Sequence, residues 1–261
     1  MLTLKKLLVL DLDGTLIDRQ DRISPDKILA LNEIKNYFDI TIATGRSYLS
    51  ALYFAKLLNL NLPFICFDGA LISDKDGNDY FKCFMERYEI LEILNSIKKD
   101  IALNVFYKNY SLVNPNMLLL GIVLKHWRLN YRIFYNQIYD FDVYKIVLAS
   151  YNYDTLKKIE NFLKNFRNGG YYLYPSAKKK GLYVIDISSR FVNKGKAILE
   201  FKKLFNYDFI VSVGDYINDL ELLKYSDIKI APIKSHKHVK EIANYLIKDF
   251  NNLLEILRKF Y

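Results

Sequence analysis

Three observations predict an α/β protein with a doubly wound, mainly parallel, Rossmann-like core and an inserted α+β cap. Short apolar runs suited to strands alternate with amphipathic stretches suited to helices at both ends of the 261-residue chain. The alternation lapses from about Phe81 to Ile187 and then resumes, as it would if one unit interrupted another. Two of the apolar runs, LLVL at residues 7–10 and FIVSV at 209–213, lead into aspartates. An unbroken apolar run suits a strand buried on both faces of a parallel sheet, and the carboxyl ends of such strands are where open α/β sheets place their ligands. The expected core is residues 1–82 with 188–261, and the expected cap is residues 83–187.

After the first strand, ISPDKILALNEIKNYF (23–38) offers Ser24 as a helix N-cap, Pro25 at the first helical position and apolar residues at helical spacing through Phe38. DITIAT (39–44) reads as a second strand, SYLSALYFAKLLNL (47–60) as a second helix and PFICF (63–67) as a third strand. In SDKDGNDY (73–80) the alternate acids resemble a calcium loop, but the position that must be glycine is Asp79, so a hairpin turn around Asp76 and Gly77 is expected. The cap mixes the helix-like ERYEILEILNSIKK (86–99) and DTLKKIENFLKNF (154–166) with the strands YKIVLAS (144–150), GYYLYP (170–175) and LYVIDIS (182–188). Core alternation returns with a helix at 194–205, a strand at 208–215, a helix at about 218–225, a short strand at 228–230 and helices near 236–244 and 250–260.

With 51% hydrophobic and 26% charged residues, the composition is that of a globular protein, which excludes a disordered or fibrous chain. The start MLTLKKLLVLD is interrupted at Asp11, too early for a secretory signal, and the longest apolar stretch, residues 117–124, is far short of the about 20 residues of a membrane span. A soluble, cytoplasmic protein without membrane partners is expected. Cys66 and Cys83, with no CxxC spacing, suggest neither a disulfide framework nor a thiolate zinc site. A net charge of +9 suits nucleic acid, a membrane surface or an anionic small substrate equally. No nucleic-acid motif surrounds Trp127 or the 22 tyrosines, and AKKKG (177–181) reads as a charged hairpin tip, so no nucleic-acid partner is expected. His126, His236 and His238 have no matching ligand set, and SHKH (235–238) reads as a solvated loop or helix start.

Asp11 and Asp13, one residue apart, leave an extended strand on the same side. GDYIND (214–219) brings Asp215, Asn218 and Asp219 to the end of a second buried strand. Unit charges 4 Å apart interact by about 4 kcal/mol at an effective dielectric of 20, and a hard divalent cation with oxygen ligands would relieve that repulsion. Mg²⁺ fits best, because it is held by few carboxylates and completes its shell with water and phosphate oxygens. Thr44 and Gly45 offer a hydroxyl and a backbone N–H at a strand-to-helix turn, a common anion site. Lys194 begins a predicted helix, where a cation opposes the helix dipole unless it faces an anion.

In order, DLDGTLID (11–18), ATGR (43–46), NKGKA (193–197) and GDYIND resemble the four motifs of the haloacid dehalogenase superfamily, with the insertion between the second and third. The cap position and NKGKA are similar to its Cof-like phosphatases, which carry an inserted α/β cap of type IIB. The resemblance implies a Mg²⁺-dependent phosphatase acting on small phosphomonoesters, sugar phosphates or related metabolites, through a phosphoaspartate. It implies Asp11 as nucleophile and Asp13 as acid/base. Asp11, the Asp13 carbonyl and Asp215 would hold Mg²⁺, with Asn218 and Asp219 steadying that shell. Thr44 and Lys194 would bind the phosphoryl oxygens, and Gly45, Arg46, Asp68 and Gly69 would line the substrate site. Two departures stand out: Asp68-Gly69 replaces the family's usual Asn-Gly, and APIKSHKHV (231–239) replaces a Gly-x-Asn-Ala-like loop. A phosphomutase of the same architecture, a non-catalytic phosphate-ligand binding protein and a phospho-accepting signalling domain are the alternatives.

Overall fold

The computed structural model describes residues 4–97, 100–119, 130–134, 138, 140–166, 170–176 and 179–261. The chain forms two compact units: Met1–Gly45, Ala51–Phe81 and Asn193–Tyr261 make one, and Arg46–Ser50 with Lys82–Val192 make the other. Sequence reading assigns 188–192 to the core. These residues group instead with the second unit, where Arg190 donates to Glu86 at 2.9 Å and lies 3.4 Å from the buried carboxylate of Glu89.

Elements are numbered in chain order. The first unit is built on β1 (Lys6–Leu10), β2 (Asp39–Ile42), β12 (Phe209–Val213), β13 (Ile228–Pro232) and β14 (Tyr245–Ile247), in the order β14-β13-β12-β1-β2. All four pairings are parallel, with Leu7 opposite both Ile210 and Asp39. Residues 7–10 have no exposed surface, as their unbroken apolar run requires. Because β1 lies between β2 and β12, strand order reverses there, the place where open α/β sheets bind ligands beyond the strands' carboxyl ends.

Helix α6 (Lys194–Phe205) lies on one face of this sheet, its Ala197, Ile198 and Phe201 packed with Leu7, Val9 and Ile210. Helix α1 (Pro25–Ile34) packs against α9 (Phe250–Leu257). The unit also contains α2 (Tyr48–Leu57), whose first turn groups with the second unit, and the short α7 (Leu220–Lys224) and α8 (Lys237–Ile242). The third strand, β3 (Phe64–Cys66), meets the parallel sheet through a bridge between Ala43 and Ile65 and pairs antiparallel with β4 (Leu71–Ser73). Next to β4 lies β5 (Asp79–Lys82), so SDKDGNDY is a strand connection. Asp74 organises it by accepting from the backbone N–H groups of Asp76 and Asn78, both at 2.9 Å.

Several ends differ from expectation. Helix α1 stops at Ile34 rather than Phe38, and Ser24 caps it through its carbonyl rather than its hydroxyl. The stretch expected as a helix from residue 218 begins as a 3₁₀ turn, Ile217–Asp219, before α7. Helix α8 ends at Ile242 rather than Asn244, and β14 occupies what was expected to be the connection to the last helix. The cause is Asn244, which pairs with Lys229 in both directions, N–H to carbonyl at 2.8 Å and side-chain oxygen from N–H at 2.9 Å.

The second unit is a six-stranded sheet of β6 (Ala102–Phe106), β7 (Ser111–Val113), β8 (Tyr131–Ile133), β9 (Lys145–Ser150), β10 (Tyr171–Pro175) and β11 (Tyr183–Ser188), ordered β10-β11-β9-β6-β7-β8. Its pairings are antiparallel except β7 with β8. Alternate residues Leu103, Val105, Ile146, Leu148, Ile185 and Ile187 face α3 (Arg87–Ser96) and α5 (Tyr153–Phe166), which contribute Ile90, Ile93, Leu156 and Leu163 to one core. A short helix, α4 (Pro115–Leu119), follows β7. AKKKG falls in the connection between the antiparallel β10 and β11. Its residues 177–178, together with His126, Trp127 and residues 120–124 of the apolar stretch, lie outside the described residues. Among the described residues no helix is long and apolar enough to cross a membrane.

Candidate active site

The backbone N–H of Asp11 donates to Val213 at 2.9 Å, extending the β1–β12 pairing one residue past β1. That step brings the buried Asp11 carboxylate to the loop after β12. The chain then turns sharply at Gly14, with φ +84°, and a side chain there would overlap the Asp215 carboxylate. The hydroxyl of Thr15 donates to Asp215 Oδ1 at 3.3 Å, and Lys27 donates to the carbonyls of Thr15 and Leu16 at 2.8 and 3.0 Å. These contacts hold the turn in register with β12. Asp13 is exposed, yet close enough that its charge acts on both Asp11 and Asp215.

Asp219 is fully buried, and its two oxygens have separate tasks. Oδ2 accepts the backbone N–H groups of Asp215 and Tyr216 at 3.0 and 3.1 Å, closing the loop, while Oδ1 accepts Lys194 Nζ at 2.6 Å. Lys194 also donates to Asp11 Oδ1 at 2.6 Å. It is 1% exposed, so it is not a solvated surface lysine. Asn193 caps α6 by accepting the Lys196 N–H at 2.8 Å, which fixes Lys194 at the helix's first position.

Asp11, Asp215 and Asp219 each present an oxygen within 4.8 Å of the others, a geometry able to hold a metal ion. Burial, reinforced by Asp219, lifts the Asp11 carboxyl well above its ordinary range against the pull of Lys194. The same causes push Asp215 up to about 7. Burial alone would lower the Lys194 ammonium, but Asp11, Asp219 and Asp68 outweigh it and hold it above the usual lysine range. One ammonium among these carboxylates leaves an excess of negative charge, and hard oxygen donors of this kind suit a divalent cation.

Thr44, two residues past β2, is fully buried. Its N–H donates to Ile65 at 2.9 Å, and its carbonyl accepts the Asp68 N–H at 3.1 Å. Phe67 and Asp68 both adopt left-handed backbone, φ +52° and +55°, a conformation Asp accepts better than most residues. This bend turns the Asp68 side chain toward Gly45, where a Cβ would come within 2.7 Å of its carboxylate. Asn218 Nδ2 donates to Asp68 Oδ1 at 3.1 Å. Gly69 backs against the Asn193 carbonyl. Arg46, nine-tenths buried, groups with the second unit and donates to Ser50 Oγ at 3.3 Å.

The structure thus brings Asp11, Asp215, Asn218, Asp219, Lys194 and Asp68 into one network, with Asp13, Thr44, Gly45 and Gly69 on its adjoining turns. Sequence reading missed Thr15 and Lys27, although Thr15 lies inside the first motif and could have been read as a donor to its turn. SHKH is a helix start, with His236 as the N-cap of α8 and Lys237 and His238 exposed. Ser235 is buried, and the His236 N–H donates to the Asp215 carbonyl at 2.8 Å, so this segment braces the loop after β12.

The fold is α/β with an acid cluster at the carboxyl ends of its parallel strands, and the comparisons give the class of protein. The chain belongs to the haloacid dehalogenase-like hydrolase family, whose model matches residues 8–253. A candidate phosphatase of Mycoplasma genitalium, MG125, is 28% identical over 258 residues, covering 91% of this chain and 89% of that protein. The phosphoglycolate phosphatase of Picrophilus torridus is 23% identical, covering 94% and 86%. The 5-amino-6-(5-phospho-D-ribitylamino)uracil phosphatase YwtE of Bacillus subtilis is 24% identical, covering 93% of each. Among solved structures, a haloacid dehalogenase-like hydrolase from Bacteroides thetaiotaomicron superposes with a TM-score of 0.80 at 16% identity, covering 98% of this chain and all of that one. Family and relatives together make this chain a phosphatase-type enzyme.

Proposed function

We propose that the chain is a Mg²⁺-dependent phosphatase that hydrolyses small phosphomonoesters through a phosphoaspartate on Asp11. The observation that carries this reading is the buried ammonium of Lys194 shared by Asp11 and Asp219, beside Asp215, at the strand ends where sheet order reverses. Asp11, the Asp13 carbonyl and Asp215 would hold Mg²⁺, which when bound supplies positive charge against the transferring phosphoryl oxygens. Asp219 is committed to Lys194 and to two backbone N–H groups, so it steadies the loop.

In the first step the Asp11 carboxylate attacks phosphorus, and the departing alkoxide takes a proton from Asp13. In the second, Asp13 takes a proton from the water that attacks the phosphoaspartate, and inorganic phosphate leaves with Asp11 restored. Exposure suits Asp13 to this exchange with water and leaving group, while burial suits Asp11 to stay oriented. Lys194 keeps Asp11 aligned and stabilises negative charge as it moves to the phosphoryl oxygens. Thr44 and Gly45, at the end of β2, would contribute donors to the same oxygens.

Sugar or polyol monophosphates are the proposed substrates. The name of YwtE, which acts on a ribityl phosphate, favours that class, while the phosphoglycolate phosphatase, at similar identity, acts on a small acid. The deciding experiment is a panel of phosphorylated metabolites incubated with and without Mg²⁺. Inorganic phosphate released only with Mg²⁺ is expected; conversion without release would identify a phosphomutase, and no reaction with any ester would refute the reading.

A further inference from the structure

We infer that Asp68 is a positioning residue: its carboxylate decides which way the Asn218 amide faces and thereby tunes the Mg²⁺ affinity of the neighbouring acids. The inference rests on the proposed metal site, but its observations are separate. Asn218 stands between Asp215 and Asp219 in the loop after β12, and its Nδ2 donates to Asp68 Oδ1 at 3.1 Å. A carboxamide has a donor end and an acceptor end of nearly equal shape, and its neighbours determine which points where. A carboxylate only accepts, so Asp68 holds the nitrogen of Asn218 and turns the oxygen away from itself.

The Asp68 side chain is itself fixed. The residue is 5% exposed, its left-handed backbone is tied to Thr44 through an N–H to carbonyl bond of 3.1 Å, and its carboxylate rests against Gly45 where any larger residue would displace it. A buried acceptor held by the ends of β2 and β3 therefore reads out on the loop after β12. Its charge also reaches Lys194, adding to what keeps that ammonium protonated. The family resemblance implies Asp68 in the lining of the substrate site, and its hydrogen bond to Asn218 ties it also to the loop after β12.

The test is Mg²⁺ titrated calorimetrically into wild type, Asp68→Gly, Asp68→Asn, Asn218→Ala and the Asp68→Gly/Asn218→Ala double variant, without substrate. Glycine is the deletion to use because it tolerates φ +55°. Asp68→Gly should weaken Mg²⁺ binding by about tenfold or more, as loss of an outer-shell partner does, and Asn218→Ala should match it. Asp68→Asn can present either its oxygen or its nitrogen to Asn218, so its loss should lie between wild type and Asp68→Gly, and the double variant should be no worse than either single one. With p-nitrophenyl phosphate, the Mg²⁺ concentration that gives half the maximal rate should rise in Asp68→Gly in step with the calorimetric loss. Wild-type affinity in Asp68→Gly, an Asp68→Asn loss as large as that of Asp68→Gly, additive losses in the double variant, or an unchanged half-maximal Mg²⁺ concentration in Asp68→Gly would each overturn the inference. If Asp68→Gly does not fold, Asn218→Ala and Asn218→Ala/Asp68→Asn carry the same comparison, and a further loss on adding Asp68→Asn overturns it. Wild type that binds no Mg²⁺ and releases no phosphate would refute the proposed function; wild type that binds Mg²⁺ beside an equally competent Asp68→Gly refutes only this inference.

Discussion

At Asp11 main chain and side chain act separately: the N–H continues the pairing with β12, and the carboxylate is left to Lys194. Asp11→Asn should therefore fold yet lose activity, since an amide is neither an effective nucleophile nor an anionic ligand. Hydrolysis of p-nitrophenyl phosphate at the wild-type rate by that variant would sink the mechanism. Asp13 is exposed and contributes its carbonyl to the proposed metal shell, so Asp13→Asn should bind Mg²⁺ normally while turnover falls by about 10²–10⁴-fold, the usual contribution of an acid/base group. Gly14 is constrained twice, by φ +84° and by the Asp215 carboxylate occupying the space of a side chain. Gly14→Ala should accordingly displace Asp215 and weaken Mg²⁺ binding, which a calorimetric titration checks. At this scale the sequence was explicit where chemistry is repeated in short spacings, as at Asp11, Asp13, Asp215 and Asp219. It was silent on the Asn218–Asp68 bond, which depends on two consecutive left-handed residues, Phe67 and Asp68, that no propensity announces.

Three loops, after β1, β2 and β12, meet because their strands are neighbours and parallel, and this sets the pH behaviour of the site. Asp215 is pushed up to about 7 from an ordinary value of 3.8. Between those values the unfolded chain gives up a proton that the folded one retains, so stability linked to Asp215 is fully present below the unfolded value and is lost as pH rises through 7. Metal-free wild type should melt at a lower temperature at pH 8 than at pH 5.5, Asp215→Asn should lose part of that difference, and the gain in Tm on adding Mg²⁺ should be larger at pH 8. Equal pH slopes for wild type and Asp215→Asn in differential scanning calorimetry would contradict this account. Which elements were legible follows from the same geometry. β1 and β12 are buried on both faces, and their unbroken apolar runs say so; α6 announces itself through its Asn193 cap and helical spacing. β14 is three residues long with Leu246 exposed, and β7 and β8 are equally short, so their pairing depends on distant partners rather than on any local pattern.

For the molecule as a whole, a net charge of +9 is an argument about encounter rather than about fold. Residues 83–187 hold 15 Lys and Arg against 9 Asp and Glu, so most of the excess lies on the inserted segment, while the acids of the proposed site lie in the first unit. A phosphomonoester is anionic at neutral pH, and a cationic surface raises its rate of arrival over distances of about one Debye length, about 30 Å at 0.01 M salt but only about 8 Å at 0.15 M. If that attraction contributes to capture, kcat/KM should fall as ionic strength rises across this range, whereas kcat at saturating substrate should not, because chemistry at the buried Asp11–Lys194 pair is shielded from salt. Measuring both constants in potassium chloride at fixed Mg²⁺ separates the two effects. A kcat/KM independent of salt would show that the excess lysines have no part in capture; a parallel fall in kcat would place the screening at the site itself, against the burial of Asp11, Asp219 and Lys194.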